Sequence, residues 1–336
     1  MQTLLLSKPG TGLRVSDREL LVVESGEVSA RYRPYRTGFD QVLIEENGGF
    51  VTFAALRWLS AQGISFAGVR FNGNLDFVTI PSAPTSGPVK VAQARVAASS
   101  SRSLALAHAL VRARIAGHAV VLGRPTVNPR LPLPGDLLHL RGYEGRVTDQ
   151  YFRALGIRVA ELWPDSGYTR RSKSGSTGNS MNAVDGPNCL LNFGFAVLAS
   201  RVLTATVRAG FDPSVSFYHE ASARGNTPPL VRDLIEPFRF LAELAVLDTL
   251  RAEKFQGRDF QATSDFVLRL GSRAKQTLLA KLSGRLNRKV RYGDTRRTYE
   301  TIMVREFGRL AEHICGPLNN RFSFKVPLDS SMVHQR

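Results

Sequence analysis

The chain has 336 residues, 43% of them hydrophobic, enough for two domains or one large one with a real core. It carries 45 Lys+Arg against 28 Asp+Glu, a formal charge of +17, which points to a polyanionic partner, nucleic acid before anionic membrane. No apolar run is expected to approach transmembrane length, Leu4-Leu5-Leu6 is too short for a signal-peptide core, and two cysteines exclude a disulfide framework.

The same count argues against a cysteine-rich zinc site, and Cys189 and Cys315, each among apolar neighbours, read as buried thiols. A reducing, cytoplasmic setting with no membrane attachment is the expectation.

In chain order, the first 80 residues read as β-rich. Leu20 to Gly26 is a strand running into a turn, Asp40 to Ile44 a second strand, and Ile64 to Val69 a third. Between the last two, Thr52 to Gln62 has helical spacing at Phe53, Leu56 and Leu59, with Gly63 as its C-terminal cap. Asn72-Gly73-Asn74 predicts a tight turn before a strand from Phe77 to Ile80. Pro81 to Pro88 has the composition of a linker.

Downstream the pattern becomes helical: Val89 to Ala116, Gly135 to Leu155, an apolar core helix from Cys189 to Ala209, and amphipathic helices over 230–254 and 299–314. Trp163 to Gly186 is a Ser/Gly-rich basic loop, and Pro317 to Arg336 a tail. The fold class expected is therefore α+β in two domains: a small β-rich domain over 1–82, a linker at 83–88, and a larger all-α domain over 89–336.

Charge follows the same division. Residues 1–85 hold 8 basic and 8 acidic side chains, so the whole excess lies later, and 251–297 alone carries 13 Lys/Arg against 4 Asp/Glu. The polyanion surface is assigned to the second domain, with Arg269, Arg273, Lys275, Arg285, Arg288 and Lys289 of that stretch, and Arg170, Arg171 and Lys173 of the loop, as candidate phosphate contacts. A solvated helix face with charged stems over apolar surface is the competing reading of the 251–297 stretch.

Chemistry concentrates at residues 227–239. Thr227 is positioned to cap a helix opened by Pro228, and Asp233 and Glu236, three apart, project from one helical face. His219 lies shortly before, after the turn signal Gly210-Phe211-Asp212-Pro213. Two carboxylates and an imidazole suit a hard divalent cation, and such an acidic nest in a basic chain calls for a reason. Singly, each residue also has an ordinary reading: Asp233 and Glu236 as a solvated face paired with Arg232 or Arg239, His219 as a packed or surface histidine, Glu144 as a helix-surface acid. Pro237 withholds an amide from the carbonyl of Asp233 and is expected to kink the helix there.

Four blocks stand in order along the chain: Glu144-Gly145 with Tyr151-Phe152, Asn188-x-Leu190-Leu191, Gly210-Phe211-Asp212-Pro213 with Phe217-x-His219, and Asp233-Leu234-x-Glu236-Pro237-Phe238-Arg239. Together they resemble the motifs of the CRISPR-associated spacer-acquisition integrases, with matching order over roughly residues 15–325. Val147-Thr148 replaces a small Ala-Ala pair, Ser216 replaces a glycine, and Pro187 is shifted by one place. The resemblance implies that Glu144, His219 and Glu236 bind Mg²⁺ or Mn²⁺, with Asp233 as a fourth acid that supports or shares the site, and it adds Arg146 and Arg239 to the DNA-facing residues. It implies joining of the 3′-hydroxyl ends of short prespacer DNA to a CRISPR repeat by transesterification, or hydrolysis when water attacks. As partners it implies double-stranded DNA, a homodimer through the β domain, and a small ferredoxin-like adaptation protein that completes a heterohexamer. The competing functions are a catalytically silent DNA-binding scaffold and a transposon-borne, casposase-like integrase.

Overall fold

In the computed structural model, every residue is described except 1, 46–47, 71–74, 82–85, 129–131, 169–182, 221–226, 263–267, 318–320 and 329–336. The first 80 residues contain β1 (Thr3–Leu6), β2 (Gly12–Ser16), β3 (Glu19–Glu24), β4 (Glu27–Tyr32), β5 (Gln41–Glu45), β6 (Phe50–Val51), α1 (Phe53–Ala61), β7 (Ser65–Val69) and β8 (Leu75–Thr79). They form two four-stranded sheets, ordered β4-β3-β2-β6 and β1-β5-β7-β8. The expected strands and α1 are present. Thr52 accepts from the Ala55 amide at 3.2 Å and Gly63 ends α1 in the left-handed region at φ +69°, a conformation that costs glycine little. The turn at Ser25-Gly26 has both φ angles positive, 52° and 86°, which matches the twist of the hairpin it closes. The turn expected at 72–74 lies outside the described residues.

Helices follow: α2 (Gly87–Ala97), α3 (Ser100–Leu122), α4 (Leu137–Leu162), α5 (Gly186–Arg208), α6 (Pro229–Leu234), α7 (Arg239–Ala252), α8 (Ser272–Asn287) and α9 (Tyr299–Cys315). The run expected over 89–116 is two helices, because Ser99 leaves helical backbone and Ser103 donates its hydroxyl to the Val96 carbonyl at 3.0 Å across the break. The helical part is not wholly α. It carries two antiparallel pairs, β9 (Phe260–Ala262) with β10 (Leu268–Leu270), and β11 (Lys289–Tyr292) with β12 (Thr295–Thr298), short pieces stabilised by packing against the helices.

Two apolar cores result. One, with Leu13, Leu20, Val22, Trp58, Leu59 and Phe66, lies between the two sheets and α1. The other surrounds α5 and takes in Leu43, Ala67, Val69 and Leu75 from the strands together with side chains of every long helix. Sequence reading found no run of membrane-spanning length; α3 and α5 do meet that test by length and composition, but 61% and 94% of their apolar windows are buried inside the protein. Each large aliphatic side chain so buried contributes about 1.5–3 kcal/mol relative to exposure.

Polar ties join strands to helices. Arg201 of α5 reaches Asp40 at 2.6 Å and Glu300 at 2.9 Å, Gln41 donates to the Ser200 hydroxyl at 3.0 Å, and Lys275 of α8 pairs with Glu45. Residues 321–328, part of the expected tail, run along α9: the Lys325 amide donates to Glu306 at 2.8 Å and the Tyr299 hydroxyl to the Pro327 carbonyl at 2.7 Å.

Candidate active site

Asp233 organises the site. It is fully buried, and its carboxylate accepts the backbone amides of Phe217, Tyr218 and His219 at 2.7, 3.1 and 2.9 Å and meets His219 Nδ1 at 2.8 Å. Three amides converge because Gly210 (φ +89°) reverses the chain after α5 and the Leu230 amide donates to the Pro213 carbonyl, seating the start of α6 on the turn. Ser216, at the glycine position of the motif, donates its hydroxyl to the His219 carbonyl. Asp233 therefore supports the histidine from inside the core.

The helix begins one place later than expected. Pro229 is its first residue and Pro228 precedes it in extended conformation, so Thr227 is not its cap. Past Asp233 the proline acts as foreseen: α6 tightens into a single 3₁₀ turn at Glu236–Phe238, and α7 starts at Arg239. That turn packs on α3, which puts Glu236, 7% exposed, against Arg114 while Arg239 bonds its other oxygen at 2.7 Å. Burial alone would raise the Glu236 carboxyl; Arg239, Arg114 and His219 outweigh it and hold the group below the usual carboxylate range.

Glu144 arrives from α4. Arg141, three residues earlier on the same helix face, donates to Glu220 at 2.5 Å and to the Tyr218 carbonyl at 2.8 Å, so α4 is clamped to the loop that carries His219. Glu144 accepts from Thr148 at 3.2 Å, and burial followed by the charge of Glu236 pushes its carboxyl up. Burial opposes protonation of His219, yet Asp233, Glu236 and Glu144 together raise its pKa. The three groups act on one another, which spacing along the chain could not establish.

As placed, no three His, Cys, Asp or Glu side chains among the described residues stand close enough to grip an ion. The donor set nevertheless fits one. Glu236 is a buried carboxylate with Oε2 beside Arg114 and Oε1 capped by Arg239, whose side chain reaches solvent, His219 has one nitrogen committed to Asp233, and Glu144 sits where a second negative charge is disfavoured until a cation compensates it.

The candidate DNA contacts divide. Arg146 and Lys289 are exposed. Arg239 is three-quarters buried in the site, 4.3 Å over the Phe195 ring. Arg273 is half exposed but bonded to Asp259 and Glu253, and Arg269 and Arg288 are half-buried. Lys275 and Arg285 correct the expectation: both are buried, Lys275 on Glu45 and Arg285 in a two-pronged pair with Asp248 at 2.7 and 2.8 Å, because α8 turns them towards the core. Arg170, Arg171 and Lys173 lie outside the described residues. Arg114 and Glu243 are absent from the sequence expectations, yet each is a charge at the buried phase of its helix, in register with apolar neighbours.

Residues 4–283 match the sequence profile of the family described as CRISPR associated protein Cas1. A relative from Thermus thermophilus named CRISPR-associated endonuclease Cas1 3 is 29% identical over 334 residues, covering 96% of this chain and 94% of its own. A casposase bound to integration product shares the fold with TM-score 0.83 at 23% identity, covering 98% of this chain and 94% of the other. The Cas6-RT-Cas1–Cas2 complex does so at 0.75 and 17% (98% and 36% covered), and a TtCas1–DNA complex at 0.59 and 16% (96% and 95% covered). With the profile spanning most of its length, the chain belongs to the Cas1 family of CRISPR associated proteins.

Proposed function

We propose that this protein is a DNA endonuclease and integrase that works with a divalent ion, Mg²⁺ or Mn²⁺, held by Glu144, His219 and Glu236. The observation that supports the reading is that Glu144 of α4, His219 of the 214–220 loop and Glu236 of the 3₁₀ turn lie within electrostatic reach of one another, with Asp233 locking His219 by Nδ1. That lock leaves Nε2 as the nitrogen available to a ligand. The bound ion would neutralise charge growing on a phosphate oxygen and on the leaving oxygen. The chain's own part is to fix the carboxylates and imidazole and to supply cations: Arg239 beside Glu236 is suited to hold phosphate oxygens, and exposed Arg146, two residues after Glu144, adds a positive charge on a different face of α4. No side-chain nucleophile is needed. A 3′-hydroxyl gives strand joining and water gives cleavage.

The names of the relatives support the nuclease arm, and the casposase with its integration product supports the joining arm. On the same footing we propose double-stranded prespacer and CRISPR-repeat DNA as substrates, with a homodimer and a Cas2-like ferredoxin-fold partner completing the assembly, in keeping with the Cas1–Cas2 and Cas1–DNA complexes of like fold. All four acid and imidazole positions are filled, which favours the enzyme over a silent scaffold. The test is a half-site integration assay on repeat-bearing supercoiled plasmid with Mn²⁺. His219→Ala and Glu236→Gln are each expected to lower joining by at least about 100-fold while DNA affinity stays within about threefold. A His219→Ala protein that joins ends at the wild-type rate would refute the assignment.

A further inference from the structure

Behind Glu236 lies a buried charge pair that no motif includes. Arg114 of α3 is 1% exposed, with Nε 3.1 Å from Glu236 Oε2 and Nη2 2.9 Å from Glu243 Oε1. Glu243, in the first turns of α7, is likewise 1% exposed. Neither contact has the alignment of a hydrogen bond, so the pairing is electrostatic. The guanidinium stands 5.4 Å from the centre of the Tyr151 ring, on which His118 stacks at 3.8 Å. The two oxygens of Glu236 thus have unlike neighbours. Oε2 faces an arginine sealed in the core, and Oε1 accepts from Arg239, whose side chain is 25% exposed.

We propose that Arg114, braced by Glu243, is a positioning residue that holds Oε2 of Glu236 and thereby presents Oε1 to the divalent ion, and that Arg239 is a removable cap on Oε1. The inference rests on the ion-binding reading of Glu144, His219 and Glu236. Its physical basis is charge accounting. Arg114 comes with its own counter-charge, Glu243, so the pair orients Glu236 without cancelling the negative charge that a cation needs. Arg239 pairs with Glu236 itself, so a cation reaching Oε1 must displace it. Mobility agrees: Arg114 is wedged between three helices, while the Arg239 side chain reaches solvent and, once released, carries its charge to a phosphate oxygen.

The test is Mn²⁺ affinity of the full chain, read from the electron paramagnetic resonance of free Mn²⁺, with thermal unfolding as the check on folding. The double variant Arg114→Met/Glu243→Gln removes one cation and one anion, so net charge is unchanged and any change in affinity reports geometry. It is expected to weaken Mn²⁺ about 10-fold or more, the range for outer-shell partners of metal ligands. Arg239→Gln is expected to tighten Mn²⁺ several-fold, and Glu236→Gln to abolish binding. Should the double variant not fold, Arg114→Lys keeps the charge but loses the fork that spans both acids, and the same weakening is expected. Wild-type Mn²⁺ affinity in the folded double variant, or in Arg114→Lys where the double variant does not fold, overturns the positioning role, provided Glu236→Gln abolishes binding. Weaker binding in Arg239→Gln overturns the cap. Unchanged binding in Glu236→Gln would instead overturn the ion-binding reading itself.

Discussion

Asp233 accepts three amides and one imidazole with both oxygens, inside the core, so its removal unseats a loop rather than a ligand. Asp233→Ala is expected to cost about 2–4 kcal/mol in urea unfolding, since buried donors lose their acceptor. A loss below about 1 kcal/mol would show that the loop stands without it. Glu144 behaves in the opposite way. Its folded pKa is raised above the ordinary 4.5 by burial and then by Glu236, so the stability linked to its protonation is full below about 4.5 and lost as pH rises through the folded value. Metal-free wild type should therefore lose stability towards neutral pH relative to Glu144→Gln, and Mn²⁺ should restore it; parallel pH profiles of the two proteins would contradict this. The cysteines separate as well. Cys189 is buried, its thiol pushed up to about 12 by burial, with its sulfur 3.1 Å from the Leu268 carbonyl. Cys315, expected to be buried like it, ends α9 in solvent because the apolar stripe of that helix stops at Ile314. Native protein should react with one equivalent of a thiol reagent at pH 8 and denatured protein with two.

Among the elements, the 3₁₀ turn at Glu236–Phe238 decides the direction of Glu236, the acid proposed to hold the ion. Pro237 has no amide to give to the Asp233 carbonyl, so α6 and α7 cannot run on as one cylinder, and Glu236 is turned onto α3. Pro237→Ala restores the amide. It is expected to leave the unfolding midpoint within about 5 °C while lowering strand joining about 10-fold or more through misplacement of Glu236. Full activity in that variant would mean that packing on α3 alone sets the turn. Pro237 and the Gly63 end of α1 were legible locally, since each acts through its own backbone, whereas the cap expected at Thr227 was not, because α6 starts one residue later at Pro229. The split between α2 and α3 was not, because an Ala-rich run continues through Ser99 without any strong breaker.

For the whole molecule, ion pairs at both ends of β5 fasten the β1-β5-β7-β8 sheet to the helices. Arg201→Met would strand Asp40 and Glu300 together, at about 3–5 kcal/mol. Lys275→Met should likewise destabilise through Glu45 yet leave DNA affinity within about twofold, whereas Lys289→Met, on the surface, should reduce the salt slope of DNA binding by about one. A reduced salt slope in a folded Lys275→Met protein would return that lysine to the DNA surface.

The sequence by itself determined the order of elements and the charge excess of the later part, and it singled out Glu144, His219, Asp233 and Glu236 as candidates, because propensity, turn chemistry and motif order are carried by neighbouring residues. Only the tertiary structure decided that Asp233 points inward, that Lys275 and Arg285 are core residues, and that Arg114 and Glu243 stand behind Glu236. Burial and electrostatic pairing depend on which helix faces which, and those partners lie far apart along the chain.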